Sequence, residues 1–354
     1  MTLSTRDPMR HQSLRTRFVL TPTETEPRSE VRRRQLTRSW HLLHELAKGE
    51  RVMKINVQTL LLLLTVSFVW LAQPALAQTA SQRPTGGVKT DSRILYHDGP
   101  VMVGSSNVYL IWYGCWDNNC GLVGDVGTQS IVSDFAVSVG SSPYFQVLAG
   151  YPNWYGQGPS GALLFGGSVL DRYSHGFELT ASDMQGIVAD QINNFGLPPD
   201  PAGIYVVLAS ADVSSPTTGF CVASAQPHHG LGFANGSRFR YAFVGNPTRC
   251  PSVGAPQFVA NGTLLPTPNG SLAADAMANT LAHVLSTTIT NPDGTGWFDR
   301  YGLQNADKCD GQFGPTYSAG NGARANLRLG QRDYLIQQNW INDRKGHCAM
   351  NTSL

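Results

Sequence analysis

The chain is poor in several things that functional classes depend on. Beyond residue 77 it holds a single glutamate, Glu178, and three lysines, and it has no basic run. A groove for nucleic acid needs clustered Lys and Arg against phosphate, so this composition excludes nucleic acid as the expected partner. No Gly-x-Ser-x-Gly elbow follows a strand pattern, no G-x-G-x-x-G follows the first strand pattern, and no two cysteines stand at CxxC spacing. Serine-hydrolase, dinucleotide and thiol-redox or zinc-ribbon readings therefore lose their usual signatures. The longest mostly apolar run, Leu60–Ala72, has 13 residues. Spanning a bilayer takes about 20, so no stable membrane span is expected.

What is present divides the 354 residues into unlike parts. Residues 1–77 carry 12 Lys+Arg against 6 Asp+Glu, and residues 78–354 carry 14 against 18. The small positive total thus conceals a basic head on an acidic body. All six cysteines and 36 of the 37 glycines lie in the body. Arg51 and Lys54 precede the apolar run, and Pro74 with Ala75-Leu-Ala77 follows it, which is the order of a secretory signal with a small-x-small cleavage site. The division is therefore a disordered leader or mis-assigned start over 1–52, a signal peptide over 53–77, a polar linker over 78–93 and one globular domain over 94–354. Export into an oxidising compartment makes Cys115, Cys120, Cys221, Cys250, Cys309 and Cys348 disulfide candidates, pairable in fifteen ways. Cys115 with Cys120 would close a small loop, and Cys221 with Cys250 and Cys309 with Cys348 would be longer staples. Spacing alone does not choose.

The periodicities of the body mix strand and helix. Asn107–Tyr113 is β-branched, aromatic and apolar nearly throughout, as a strand covered on both faces is. Ile131, Val132, Phe135, Ala136 and Val139 recur at helical spacing. Thr180 and Asp183 form a capping-box start to a helix with Met184, Ile187, Val188 and Ile192 on one face. Ile204–Ala209 and Arg238–Val244 read as further strands. Ser271 caps a helix from about Leu272 to Ile289 whose Met277, Leu281, Val284, Leu285 and Thr288 share a face. The fold class expected is α/β: a single sandwich-like domain with a mixed central sheet flanked by helices. Asn235, Asn261, Asn269 and Asn351 head glycosylation sequons, and the first three are also Asn-Gly pairs, for which a turn suffices.

Several segments, in order, resemble one family. Ile94-Leu-Tyr-His-Asp-Gly-Pro-Val, Val108-Tyr-Leu-Ile-Trp-Tyr-Gly, Ile204-Tyr-Val-Val-Leu-Ala-Ser-Ala-Asp-Val with Gly219-Phe-Cys, Tyr241-Ala-Phe-Val-Gly-Asn with Cys250-Pro, Thr290-Asn-Pro-Asp-Gly-Thr-Gly-Trp-Phe, and Asn326-Leu-Arg-Leu-Gly-Gln-Arg-Asp-Tyr-Leu with Cys348 are similar to the EXORDIUM/phosphate-induced proteins of plants and bacteria. The resemblance covers about 94–348. It implies a secreted protein of the extracellular space, apoplast or cell wall, linked in plants to growth and cell expansion, and it brings no defined reaction. The family has two further cysteines, one after the position of Cys221 and one after that of Cys250, and both are missing here. Their joint absence implies that they bond each other in the family and that Cys221–Cys250 remains.

Some bacterial relatives carry a metallopeptidase-like His-Glu-x-x-Glu/His pattern on the helix before Thr290, which makes the fold distantly metallopeptidase-like. At the matching positions this chain has His283, then Val284, then Thr287. Two of the three functions of such a site, the water-activating carboxylate and the second ligand, are gone. Asp299, Asp307, His228 and His229 are the side chains left to rebuild a zinc site around His283. The simpler reading of His283 is a hydrogen-bonded structural residue. A second candidate surface comes from the aromatic window of residues 112–155, where Trp116, Trp154 and Tyr155 are placed to stack on a cell-wall polysaccharide or surface glycan. The expectation is a non-enzymatic binding protein without cofactor; the alternative is a divergent metal-dependent hydrolase with a degenerate site at His283.

Overall fold

The computed structural model describes residues 93–117, 119–120, 124–222 and 228–352. The leader, the signal-peptide segment and all but the last residue of the linker lie outside the described residues. In chain order the elements are β1 (Leu95–Tyr96), β2 (Gly104–Tyr113), α1 (Val126–Ser138), β3 (Pro159–Asp171), α2 (Ala181–Asn194), β4 (Gly203–Ala209), β5 (His228–Ala234), β6 (Ser237–Val244), β7 (Val259–Ala260), β8 (Thr263–Leu264) and α3 (Leu272–Thr290). The tail adds β9 (Trp297–Phe298), β10 (Tyr317–Ser318), β11 (Arg324–Ala325), β12 (Leu327–Leu329), β13 (Arg332–Tyr334), β14 (Asn339–Ile341) and β15 (His347–Ala349).

Five strands make the central sheet in the order β3-β2-β4-β6-β5, parallel except for β5, which runs antiparallel to β6. Side chains alternate across a strand, so each central strand feeds two cores. Val108, Leu110, Trp112, Ile204, Val206 and Leu208 pack with α1 and α3, while Tyr109, Ile111, Tyr113, Tyr205, Val207 and Ala209 pack with α2. This is why β2 and β4 read as nearly unbroken apolar runs. The expected mixed sheet flanked by helices is present.

The helices start where local chemistry says they should. Asp125 Oδ1 accepts the N–H of Thr128 at 2.7 Å, Thr180 and Asp183 form a reciprocal capping box, and Ser271 Oγ accepts the N–H of Ala274 at 3.2 Å. Each such cap satisfies an otherwise orphaned donor of the first turn. Met184, Ile187, Val188 and Ile192 all face inward on α2. On α3 the burial goes further than the predicted face: it is buried almost all round, polar residues included.

Two differences from the sequence reading have physical causes, while its reading of the Asn-Gly pairs as turns holds at Asn235 and Asn261. The 13-residue strand β3 is not legible, because as the sheet edge it is half exposed and carries Gly166-Gly167 mid-strand. His228 and His229 belong to β5, so neighbouring side chains point to opposite faces. Asn235 and Asn261 sit at φ +49° with Gly236 at +73° and Gly262 at +76°, the two left-handed positions of tight hairpins joining β5 to β6 and β7 to β8. At Asn269 the turn is tied down as well, since its Nδ2 donates to Asp275 Oδ1 at 2.6 Å and to the Asp333 carbonyl at 2.9 Å.

Candidate functional site

The helix singled out by the sequence carries a polar stripe. Asn279, His283, Ser286 and Thr290 stand at i, i+4, i+7 and i+11 and therefore share one flank of α3. That flank is covered by the tail. Asn279 Oδ1 accepts the N–H of Gln337 at 2.7 Å, Ser286 Oγ accepts from Asn339 Nδ2 at 3.0 Å, and Thr290 Oγ1 donates to Asn305 Oδ1 at 3.2 Å.

His283 lies at the middle of this seam, buried. Its Nδ1 is 3.1 Å from Gln337 Oε1 and its Nε2 is 2.9 Å from Asp307 Oδ1. The Gln337 amide is oriented by its own Nε2 donating to the Ala306 carbonyl at 2.8 Å. Both ring nitrogens thus face oxygens that accept, and both contacts are made when each nitrogen carries a proton. Burial alone would raise the Asp307 carboxyl, but the hydrogen bond and charge of His283, with the Gln304 N–H on the other oxygen at 2.8 Å, hold it below the ordinary carboxylate value.

The remaining candidates divide around this pair. Asp299 and Lys308 are both fully buried and form an ion pair at 3.2 Å, with Lys308 Nζ 4.4 Å from the centre of the Trp340 ring. His229, on the α3 side of the sheet, meets Gln304 Oε1 with Nε2 at 3.2 Å, and its Nδ1 is buried with no hydrogen-bond partner. Burial pushes its pKa down to about 4, so the ring is neutral at pH 7. His228 points to the α2 side, 3.1 Å from the Tyr241 hydroxyl, and burial lowers it too. The fold therefore joins His283 to Asp307, sends Asp299 to Lys308 and places His228 elsewhere. Val284 is core, and Thr287 Oγ1 donates back to the carbonyls of His283 and Val284 at 3.1 and 3.2 Å. Lys308, Gln304 and Gln337 complete the seam without a signal in the sequence, because single polar residues in a Gly-rich tail give none locally.

Among the described residues, the one group of three His, Cys, Asp or Glu ligand atoms lying within 4.8 Å of one another is Cys115, Asp117 and Cys120. Its two sulfurs are bonded to each other. All six cysteines pair: Cys115–Cys120, Cys221–Cys250 and Cys309–Cys348, with Cα separations of 5.4, 5.5 and 5.6 Å. The third closes the tail beside Lys308. No described helix is long and apolar enough to cross a membrane.

The aromatic candidates separate sharply. Trp116 is 2% exposed, and its Nε1 donates to the carbonyls of Tyr113 at 3.0 Å and Leu208 at 3.2 Å, the ends of β2 and β4. It is a core ring packed edge-on to Trp112 at 5.0 Å, which corrects its reading as a ligand-stacking residue. Trp154 is 73% and Tyr155 87% exposed. Their loop is ordered by Asn153, whose Oδ1 accepts the N–H of Tyr155 at 2.9 Å and of Gln157 at 3.0 Å. Trp154 meets Tyr96 edge-on at 5.6 Å, and Tyr96 lies 5.4 Å from its cross-strand partner Trp297. Tyr96 and Trp297 fall outside the 112–155 window and are brought to it by the short β1–β9 ladder.

An α/β chain with three disulfides, a sealed polar seam along its central helix and a surface cluster of rings is what the residues define. The chain belongs to the family described as the phosphate-induced protein 1 conserved region, whose profile matches residues 94–337. It is 29% identical to "Protein EXORDIUM-like 3" of Arabidopsis thaliana over 282 residues, which are 70% of this chain and 80% of the relative. It is 31% identical to "Protein EXORDIUM" of the same plant over 251 residues, 62% of this chain and 73% of the relative. Against "Protein PHOSPHATE-INDUCED 1" of Nicotiana tabacum the identity is 29% over 245 residues, 62% and 72% of the two chains. No solved structure matches the chain, so a metallopeptidase-like relation rests on the sequence resemblance alone.

Proposed function

We propose that the protein is exported and acts outside the cell by binding a cell-wall polysaccharide or surface glycan, with no catalytic step of its own. The observation that carries this reading is the exposed pair Trp154 and Tyr155 on a loop tied down by Asn153. Large rings left in water on an ordered loop lose little entropy on contact, and an aromatic face suits the C–H face of a sugar. Three disulfides fit an oxidising compartment. A link to growth or cell expansion comes with the family resemblance and belongs to the same proposal.

The test is to express the full chain with its apolar segment and fractionate the culture. The expected result is a mature protein outside the cells, beginning near Gln78, that is retained on insoluble wall polysaccharide. Protein that stays intracellular, or that passes unretained through every polysaccharide, refutes the reading. Stoichiometric zinc in dialysed protein, lost in His283→Ala, would instead establish a metal site at His283, which the hydrolase alternative requires.

A further inference from the structure

We infer that Tyr96, Trp154 and Trp297 form one platform that takes an oligosaccharide chain in preference to a single sugar. This rests on the glycan-binding reading and adds to it the contact residues and the minimum length of the ligand.

The platform is built from three places in the sequence. Tyr96 and Trp297 are directly opposed in the β1–β9 ladder, and Trp154 comes from the loop before β3. Trp297 Nε1 donates to the Pro152 carbonyl at 3.0 Å, fastening β9 to the Trp154 loop. Beneath Trp297 the buried ring of Tyr151 packs edge-on at 5.4 Å, and its hydroxyl donates to the Trp340 carbonyl at 2.5 Å. The Tyr96 hydroxyl donates to the Gly99 carbonyl at 2.6 Å. Tyr96 and Trp297 are thus held by side-chain hydrogen bonds, and Trp154 sits on a loop ordered by Asn153, before any ligand arrives, which removes much of the ordering cost of binding.

Length follows from the ring geometry. Tyr96 lies 5.4 Å from the Trp297 ring, tilted by 38°, and 5.6 Å from the Trp154 ring, edge-on at 80°, so the three rings together offer apolar surface past a single pyranose. Half-buried Asn153 and exposed Gln157, paired side chain to side chain at 3.4 Å, offer amide groups to sugar hydroxyls beside Trp154.

The experiment is a tryptophan-fluorescence titration of the secreted, oxidised protein. The probes are cellohexaose, xylohexaose and mannohexaose and their disaccharides. At least one hexasaccharide is expected to bind about tenfold tighter than its disaccharide. Trp154→Ala should weaken binding about tenfold, on the scale of one aromatic contact. Trp297→Phe, which keeps a ring and loses the Pro152 bond, should weaken it several-fold. Phe195→Ala, another exposed ring outside the platform, should change nothing. Thermal melts confirm that each variant is folded. Retention on neutral polysaccharide with unchanged affinity in both Trp variants overturns the platform and leaves the glycan reading standing. Equal binding of disaccharide and hexasaccharide overturns the length assignment. Failure of every probe and of wall retention overturns both.

Discussion

If His283 is the keystone of the seam between α3 and the tail, removing it should cost stability on a scale that separates this role from a surface histidine. His283→Ala deletes a charge-assisted hydrogen bond to Asp307 at 2.9 Å and a second bond to Gln337 at 3.1 Å. It also leaves a carboxylate of which only 13% of the side chain is exposed facing a cavity in place of an imidazole. Breaking one partner of a buried pair costs about 3–5 kcal/mol. Asp307→Asn keeps the shape and the bond from the Gln304 N–H but removes the charge, and about 1.5–3 kcal/mol is the scale of that loss. If the two residues act through each other, the double variant should cost less than the two singles combined, by roughly 1–2 kcal/mol. The assay is equilibrium guanidinium unfolding at pH 7 with all three disulfides oxidised, using variants whose slopes match the parent. A His283→Ala cost below about 1 kcal/mol, or strictly additive single costs, would refute the argument.

Acid should weaken the fold in two stages. His229 has a folded pKa pushed down to about 4, so the unfolded chain takes up protons first as pH falls through the ordinary histidine value of about 6.5. The neutral ring's contribution is complete above that value and drains away between roughly pH 6.5 and 4, up to about 3 kcal/mol, with His228 adding in the same direction. His229→Gln should flatten this limb in unfolding free energies measured from pH 7.5 to 4; an unchanged slope would refute the assignment. The Asp307 carboxyl, held low, contributes above about pH 3.9 and is lost only at more acidic pH. The two tryptophans that look alike in sequence should behave oppositely: Trp116→Ala should cost about 3–5 kcal/mol as a buried-ring truncation, whereas Trp154→Ala should stay within about 0.5 kcal/mol. Equal effects in thermal unfolding would show that the burial assigned to one of them is wrong.

Much of the framework was legible before any tertiary structure. Asn107–Tyr113 and Ile204–Ala209 are continuous apolar strands because both faces are covered, and the caps at Thr180 and Ser271 act through bonds within four residues. The family was legible too, through segments whose order survives at modest identity. The candidate site was legible only as a set of residues. His283 and Asp307 are 24 positions apart, and nothing local predicts that they meet while Asp299 turns to Lys308.

The sequence by itself determined where the inner strands β2, β4 and β6 and the helices α2 and α3 lie, the apolar face of α2, and which family the chain resembles, because those properties show in local residue patterns. Only the tertiary structure decided that Trp116 is core and Trp154 is surface, that His228 and His229 serve different layers, and that Tyr96 and Trp297 complete a platform begun at Trp154. Burial and charge pairing depend on which distant segment lies on top. In this protein that segment is largely the Gly-rich tail from Trp297 to Ala349, whose path is held by long-range hydrogen bonds and the Cys309–Cys348 staple.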